Sequence, residues 1–136
     1  MESWNELFKT EGVEEHSIHY GKKNILIEKA YDFSQEIVLY VRKIRKLREY
    51  DLARQLFRSG TSIGANVLES TAASSPKDFA HKLSIASKEA RESYYWLMLI
   101  KDTEIELEDV NDLLDDCLEL VKLTTSIVKT LNEKSK

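Results

Sequence analysis

The sequence predicts an all-α protein, an antiparallel up-down-up-down four-helix bundle. Apolar residues recur at spacings of three and four along four long stretches, which is the pattern of helices that each bury one face. The whole chain of 136 residues contains only four glycines and one proline, too few turn residues for a β-rich fold. These two features together favour long helices joined by short connections.

Composition indicates a single soluble domain. Hydrophobic residues make up 42% of the chain and charged residues 32%, and its length is sufficient for one core. No apolar run approaches the ~20 residues of a membrane span, and the first residues lack the basic and then apolar order of a secretory signal. The single cysteine cannot form an internal disulfide. We therefore expect a cytoplasmic protein with no membrane contact.

Residues 1–23 are predicted to be an N-terminal extension and residues 24–136 the bundle domain. Trp4, Leu7 and Phe8 could form one face of a short helix. Such a face would cover part of the bundle or of a neighbouring subunit.

His16 and His19 have the spacing of two metal ligands on one helix face. No further cysteine or acidic residue completes a recognisable ligand set around them. We interpret this stretch as exposed polar chain and predict no metal site.

The first bundle helix is predicted to span Asn24–Arg48, with a turn near Arg48–Asp51. Its apolar residues follow the helical period and should form one buried stripe. They are Leu26, Ala30, Phe33, Ile37, Tyr40, Val41, Ile44 and Leu47.

The second helix has a buried stripe and a second, unusual side. The stripe contains Leu56, Ser59, Ile63, Asn66 or Val67, and Ser70, whereas Ala53, Phe57, Gly60 and Gly64 share another side. A glycine inside a helix costs about 0.8–1.0 kcal/mol relative to alanine. Two glycines four residues apart beside Phe57 therefore suggest close approach of a backbone from another subunit. On this hypothesis, leucine at either glycine breaks the oligomer and leaves a helical subunit.

The third helix has a clear start. Ser75 can cap the first turn, Pro76 at the first helical position gives up no needed donor, and Asp78 favours the positive helix end. The buried stripe that follows has the four-three spacing of a bundle seam. It contains Phe79, Leu83, Ala86, Ala90, Ser93, Leu97 and Ile100.

Residues 94–100, YYWLMLI, are apolar or aromatic on every side of the third helix. One small bundle covers only one side, so the remainder requires a partner surface or cover from residues 1–23. We favour the partner surface. The predicted oligomer interface comprises Phe57, Gly60, Gly64, Tyr95, Trp96 and Leu99.

The last helix is predicted from Leu107 to Asn132. Its buried stripe contains Val110, Leu113, Leu114, Cys117, Val121, Thr124, Val128 and Leu131. Its outer face carries Glu108, Asp112, Asp115, Asp116 and Glu119. Cys117 falls on the buried stripe, where a thiol behaves as a small apolar group and not as a nucleophile.

Two motifs on the second and third helices resemble a known family. The first is QLFRSGTSIGANV at 55–67, with Ser62, Ile63, Asn66 and Glu69 as its central residues. The second includes KDF at 77–79, KLSIA at 82–86 and YWL at 95–97. Together they resemble the bacterial four helix bundle proteins encoded within intervening sequences of large-subunit ribosomal RNA. More distantly, they are similar to accessory proteins of diversity-generating retroelements.

The resemblance covers roughly residues 24–132 and implies a subunit that assembles into a ring-shaped homo-oligomer, commonly a pentamer, without enzymatic activity. Family members often have a basic loop after the glutamate. Here the corresponding loop, STAASS at 70–75, carries no charge. A nucleic-acid role assigned to that loop therefore does not transfer to this chain.

Charge is unevenly distributed along the chain. Residues 42–58 contain seven Lys or Arg against two acids, whereas residues 101–119 contain nine acids and one Lys. Both could be solvated faces, or the basic patch of one subunit could dock on the acidic helix of the next. The patch could also bind phosphates of RNA or DNA, although a net charge of −4 disfavours this. The basic patch is Arg42, Arg45, Lys46, Arg54 and Arg58.

No pattern in the sequence indicates catalysis. A glycine-rich phosphate loop, zinc-ligand spacing and a nucleophile turn are all missing. The acids of the last helix point outward, whereas metal sites in bundles need inward carboxylates. We predict a non-catalytic, self-assembling adaptor or scaffold that has no cofactor and no small-molecule substrate. The alternative is a multivalent RNA- or DNA-binding accessory protein that uses the basic patch.

Overall fold

Four helices make up the computed structural model, which describes residues 17–105 and 107–134, with side chains from Ile25 onward. They are α1 (Ser17–Lys46), α2 (Tyr50–Ser70), α3 (Pro76–Asp102) and α4 (Val110–Lys134). No strand occurs in these residues, so the predicted all-α class is confirmed. None of the helices described is long and apolar enough to span a bilayer. The expectations for Trp4, Leu7, Phe8 and the His16–His19 pair concern side chains outside this part of the chain.

The helices are antiparallel and follow chain order around the bundle, with α1 also packed against α4. Two contacts show that α2 and α3 run in opposite directions. Ser59 contacts Ser93, whereas Glu69, which lies later on α2, contacts Lys82, which lies earlier on α3. The ion pairs Lys29–Glu119 and Lys43–Asp109 show the same reversal between α1 and α4. This is the up-down-up-down arrangement expected from short connections.

The core consists of the stripes that the apolar period predicts. Every predicted α1 residue is buried except Leu47, which lies beyond the last residue of the helix and is 49% exposed. On α4 the core also includes Leu120 and Ile127, which the predicted stripe omitted. Phe79, Val110, Val128 and Leu131 lie at the ends of the bundle and are only partly buried.

Local chemistry sets the helix ends. The Ser75 hydroxyl accepts the backbone N–H of Asp78 at 3.0 Å, and Pro76 occupies the first turn, as predicted. The turn after α1 comprises residues 47–49, where Arg48 has φ 64, a left-handed value that is uncommon for residues other than glycine.

Two predicted boundaries are wrong. The first helix begins at Ser17 and not at Asn24, so it extends into the segment expected to be an extension. The last helix begins at Val110 and not at Leu107, because Asp109, with φ 74, cannot continue a right-handed helix.

The two glycines of α2 face α1 of the same chain. A Cβ atom built on Gly60 would lie 2.9 Å from Ile37 Cγ2, and one built on Gly64 would lie 3.1 Å from Ser34 Oγ and 3.5 Å from the Ala30 carbonyl oxygen. The Gly60 contact is closer than a real Cβ tolerates, and Ile37 is stiff because it branches at Cβ. Glycine therefore permits the close packing of α1 on α2.

A double-mutant cycle tests this contact. Gly60→Ala should lower the free energy of unfolding by about 1–3 kcal/mol, because the added methyl overpacks against Ile37. In an Ile37→Ala background the same change should be neutral or stabilising by up to about 1 kcal/mol, through the higher helix propensity of alanine. Urea unfolding of the four proteins measures both values. An equal loss of unfolding free energy in both backgrounds would show that contact with Ile37 is not the reason that position 60 requires glycine.

Candidate functional site

The aromatic run of α3 remains partly uncovered by the described bundle. Tyr95 is 57% exposed, and Trp96 and Leu99 are half-buried. The Tyr95 and Trp96 rings meet edge to face, with centroids 5.1 Å apart. We call Tyr95, Trp96 and Leu99 the aromatic patch. It is one part of the predicted oligomer surface that the described residues leave exposed.

A charged network joins the aromatic patch to α2. Arg58 donates to both oxygens of Glu89, at 3.2 and 3.3 Å, and to Glu92. Glu92 also accepts the indole N–H of Trp96 at 3.1 Å. The hydrogen bond to Glu89 is the main reason that the pKa of Arg58 is raised above its usual value. The network therefore fixes Trp96 on the α2 side of α3.

Phe57 lies on a different side of the subunit. It is 41% exposed, and the Arg45 guanidinium of α1 lies 5.9 Å from its ring centroid. This is within the range of a cation–π contact. Phe57 therefore belongs to the edge between α1 and α2, whereas Trp96 belongs to the edge between α2 and α3. The predicted interface divides into two separate patches.

The assignment of Gly60 and Gly64 to an oligomer interface needs correction. The backbone that approaches them is that of α1 in the same chain. Leucine at either position would force α1 away from α2 and so would disrupt the subunit itself. The sequence correctly indicated a close approach but could not indicate which helix makes it.

The family motif serves mainly packing within the subunit. Ile63 is fully buried, and Ser62 donates its hydroxyl to the Arg58 carbonyl oxygen. Asn66 donates to the Ser62 carbonyl oxygen at 2.8 Å, within its own helix. Glu69 lies 3.5 Å from the Lys82 ammonium group of α3.

Part of the basic patch is neutralised inside the subunit. Arg58 is paired with Glu89 and Glu92, and Arg54 pairs with Asp51 at 3.0 Å. Arg42 and Lys46 are exposed, and no described carboxylate pairs with either. The sequence count of charge in residues 42–58 missed the two α3 carboxylates, because they lie more than thirty residues further along the chain.

Acidic residues of α4 border a groove against α1. Asp116 and Glu119 line it together with Lys29, Asp32 and Glu36. Lys29 forms an ion pair with Glu119 at 2.5 Å, which raises the pKa of Lys29. Burial, and then the neighbouring acids beginning with Asp116, raise the pKa of Glu36. Among the described side chains, no three His, Cys, Asp or Glu residues are arranged to hold a metal ion.

A second cationic surface, which the sequence reasoning missed, lies between α3 and α4. It is a groove of about 590 Å³. Its lining residues are Ser84, Ser87, Lys88, Arg91, Thr125, Val128, Lys129, Asn132 and Glu133. The helical spacing of Ser84, Lys88 and Arg91 in the sequence indicates that they share one face of α3. Only the register between α3 and α4 shows that Lys129 lines the same groove.

Comparisons with known proteins give a matching family and a similar solved structure. A model of the family described as 23S rRNA-intervening sequence protein matches residues 22–126. The chain is also similar to a crystal structure from Bacteroides thetaiotaomicron, a protein of unknown function from the S23 ribosomal protein family. The two are 41% identical with a TM-score of 0.75, over 79% of this chain and 98% of that one. None of the curated proteins matches.

Cys117 is expected to be unreactive in the folded protein. It is fully buried, its thiol lies 3.2 Å from the Ala90 carbonyl oxygen, and burial raises its pKa from 9.0 to about 12. Folding therefore favours the neutral thiol. The stability that this adds to the folded protein is complete below pH 9.0 and is lost as the pH rises to about 12.

At pH 9 a disulfide reagent such as DTNB should react with Cys117 at least about a hundredfold faster after unfolding in urea than before. Similar rates in both states would contradict the buried position.

Proposed function

The chain belongs to the 23S rRNA-intervening sequence protein family, and we propose that it is a non-catalytic subunit that assembles with copies of itself into a cytoplasmic scaffold or adaptor. The family match also confirms the resemblance carried by the α2 and α3 motifs. The observation that carries the proposal is the exposed aromatic surface. Large apolar groups left uncovered on a soluble bundle favour association, and Tyr95 and Phe57 are 57% and 41% exposed.

The separation of the two patches favours a closed ring. A two-fold dimer places the same patch on both subunits, whereas two different patches that fit each other give head-to-tail contacts, which form a ring when the rotation between copies closes. Phe57, on the edge between α1 and α2, would pack on the aromatic patch of the next copy. Five copies is the size that the family resemblance favours.

The charged faces do not coincide with the two apolar patches. Arg42 and Lys46 are exposed on α1, the helix that supplies Arg45 to Phe57. Asp112 is exposed on α4, but it lines the groove against α1 together with Leu39, away from the aromatic patch. Docking of the basic patch on the acidic helix therefore gains no support from the proposed head-to-tail contact.

Nucleic-acid binding by the basic patch is the second candidate function. Arg42, Arg45 and Lys46 remain able to contact phosphates, and a ring would repeat them around its axis, so that weak sites act together. The ion pairs of Arg54 and Arg58 weaken this candidate, because phosphate would have to displace carboxylates already in place. Self-association therefore has the stronger support.

The mass in solution tests assembly directly. Light scattering after size exclusion should give a multiple of the 15.8 kDa subunit, with five copies as the expected value. Tyr95→Ser should weaken association by about 2 kcal/mol, roughly thirtyfold, as loss of a central aromatic contact does. Leu39→Ser is the matched control, since Leu39 is equally exposed at 56% but lies on the α1–α4 side. A wild-type monomer at all concentrations would refute the proposal.

Mixing two variants tests the head-to-tail arrangement. Phe57→Ser and Tyr95→Ser each weaken one of the two patches, so each variant alone should be largely dissociated at the lowest concentration at which wild type assembles. Their mixture retains one intact contact per pair and should form heterodimers, which native mass spectrometry resolves if one variant is isotope-labelled. Homodimers of either variant would show instead that a patch contacts its own copy.

A further inference from the structure

The three cations of the α3–α4 groove are not neutralised by carboxylates of the described bundle. Five described cations form ion pairs with carboxylates, namely Lys29, Lys43, Arg54, Arg58 and Lys82. Lys88, Arg91 and Lys129 are exposed, line one groove, and have no carboxylate partner within the described ranges. Three cations against the single carboxylate of Glu133 leave the groove with a net positive charge, which favours a bound anion.

Hydroxyl groups complete the groove as a site for oxygen anions. The Arg91 guanidinium donates to Thr125 Oγ1 at 3.0 Å, which directs its planar group across the groove from α3 to α4. Ser87 Oγ lies 3.3 Å from the same Thr125 oxygen. Serine and threonine hydroxyls, lysine and arginine are the side chains that most often contact phosphate oxygens.

We propose that this groove binds the phosphodiester backbone of single-stranded nucleic acid. Lys88 and Arg91 lie one turn apart on α3, and Lys129 faces them from α4, so the positive charge is spread along the groove and not focused on one point. Spread charge suits a chain of phosphates better than one ion.

The polar groups of the lining suit a chain of phosphates. Three cations and the hydroxyl groups of Ser84, Ser87 and Thr125 line the groove. Glu133 lines the groove near Lys129, so it repels phosphate at that end and directs the strand toward Arg91. This site lies apart from the basic patch on residues 42–58, and it does not depend on self-association.

Fluorescence anisotropy of a labelled single-stranded oligouridine, titrated with the full chain, tests the site. Three phosphate contacts on a single strand predict that affinity falls about twentyfold between ~50 and ~200 mM salt. The variant K88Q/R91Q/K129Q should lose most of the binding and most of the salt dependence. E133Q should tighten binding several-fold, because it removes the one negative charge of the groove. Circular dichroism checks that the variants remain helical.

The control R48Q/K77Q/K101Q removes the same charge from exposed positions outside both the groove and the basic patch, and it should bind like wild type. The variant R42Q/R45Q/K46Q tests the competing basic patch. Loss of binding in R42Q/R45Q/K46Q, with retention in the groove variant, would overturn the proposal in favour of residues 42–58. Displacement of the oligonucleotide by inorganic phosphate at matched ionic strength would show a site for a free ion only. The proposal would also be overturned if the wild-type protein did not bind the oligonucleotide at ~50 mM salt. The same holds if the groove variant dissociated the assembly but still bound the oligonucleotide.

Discussion

The close packing of α2 against its two neighbours is the constraint on which the fold depends. On one side, Gly60 and Gly64 leave room for Ile37 and Ser34 of α1. On the other side, Ser59 meets Ser93 of α3 through hydroxyls 2.8 Å apart, both fully buried. Small residues allow close approach, and the paired hydroxyls satisfy each other where an unpaired one would cost about 1–3 kcal/mol. The position of α2 in turn places Arg58 against α3 and Phe57 against α1, which separates the two exposed patches.

The periodic features of the fold could be predicted from the sequence because they are local. The buried stripes follow from the 3.6-residue period, and the start of α3 follows from Ser75, Pro76 and Asp78. The identity of the neighbouring helix could not be predicted in the same way. Gly60 indicates that something approaches closely, but its partner Ile37 is on another helix whose register no local pattern specifies.

The same limit applies to the charges. A count along residues 42–58 overestimates the available positive charge, because Glu89 and Glu92 are distant in sequence and adjacent in space to Arg58. Conversely, Lys88 and Arg91 on α3 and Lys129 on α4 belong to one surface only when the two helices are packed. Net charge of −4 therefore says little about local surfaces on this bundle. Acids line the groove between α1 and α4, while three cations without carboxylate partners line the groove between α3 and α4.

The burial of Cys117 has a practical consequence for the study of assembly. It is the single cysteine of the chain, and its side chain is fully buried between α3 and α4. A cysteine introduced on the surface would therefore be the one thiol open to maleimide dyes, with the native residue left in place. Donor-labelled and acceptor-labelled subunits could then be mixed, and energy transfer would report exchange of subunits between assemblies in real time.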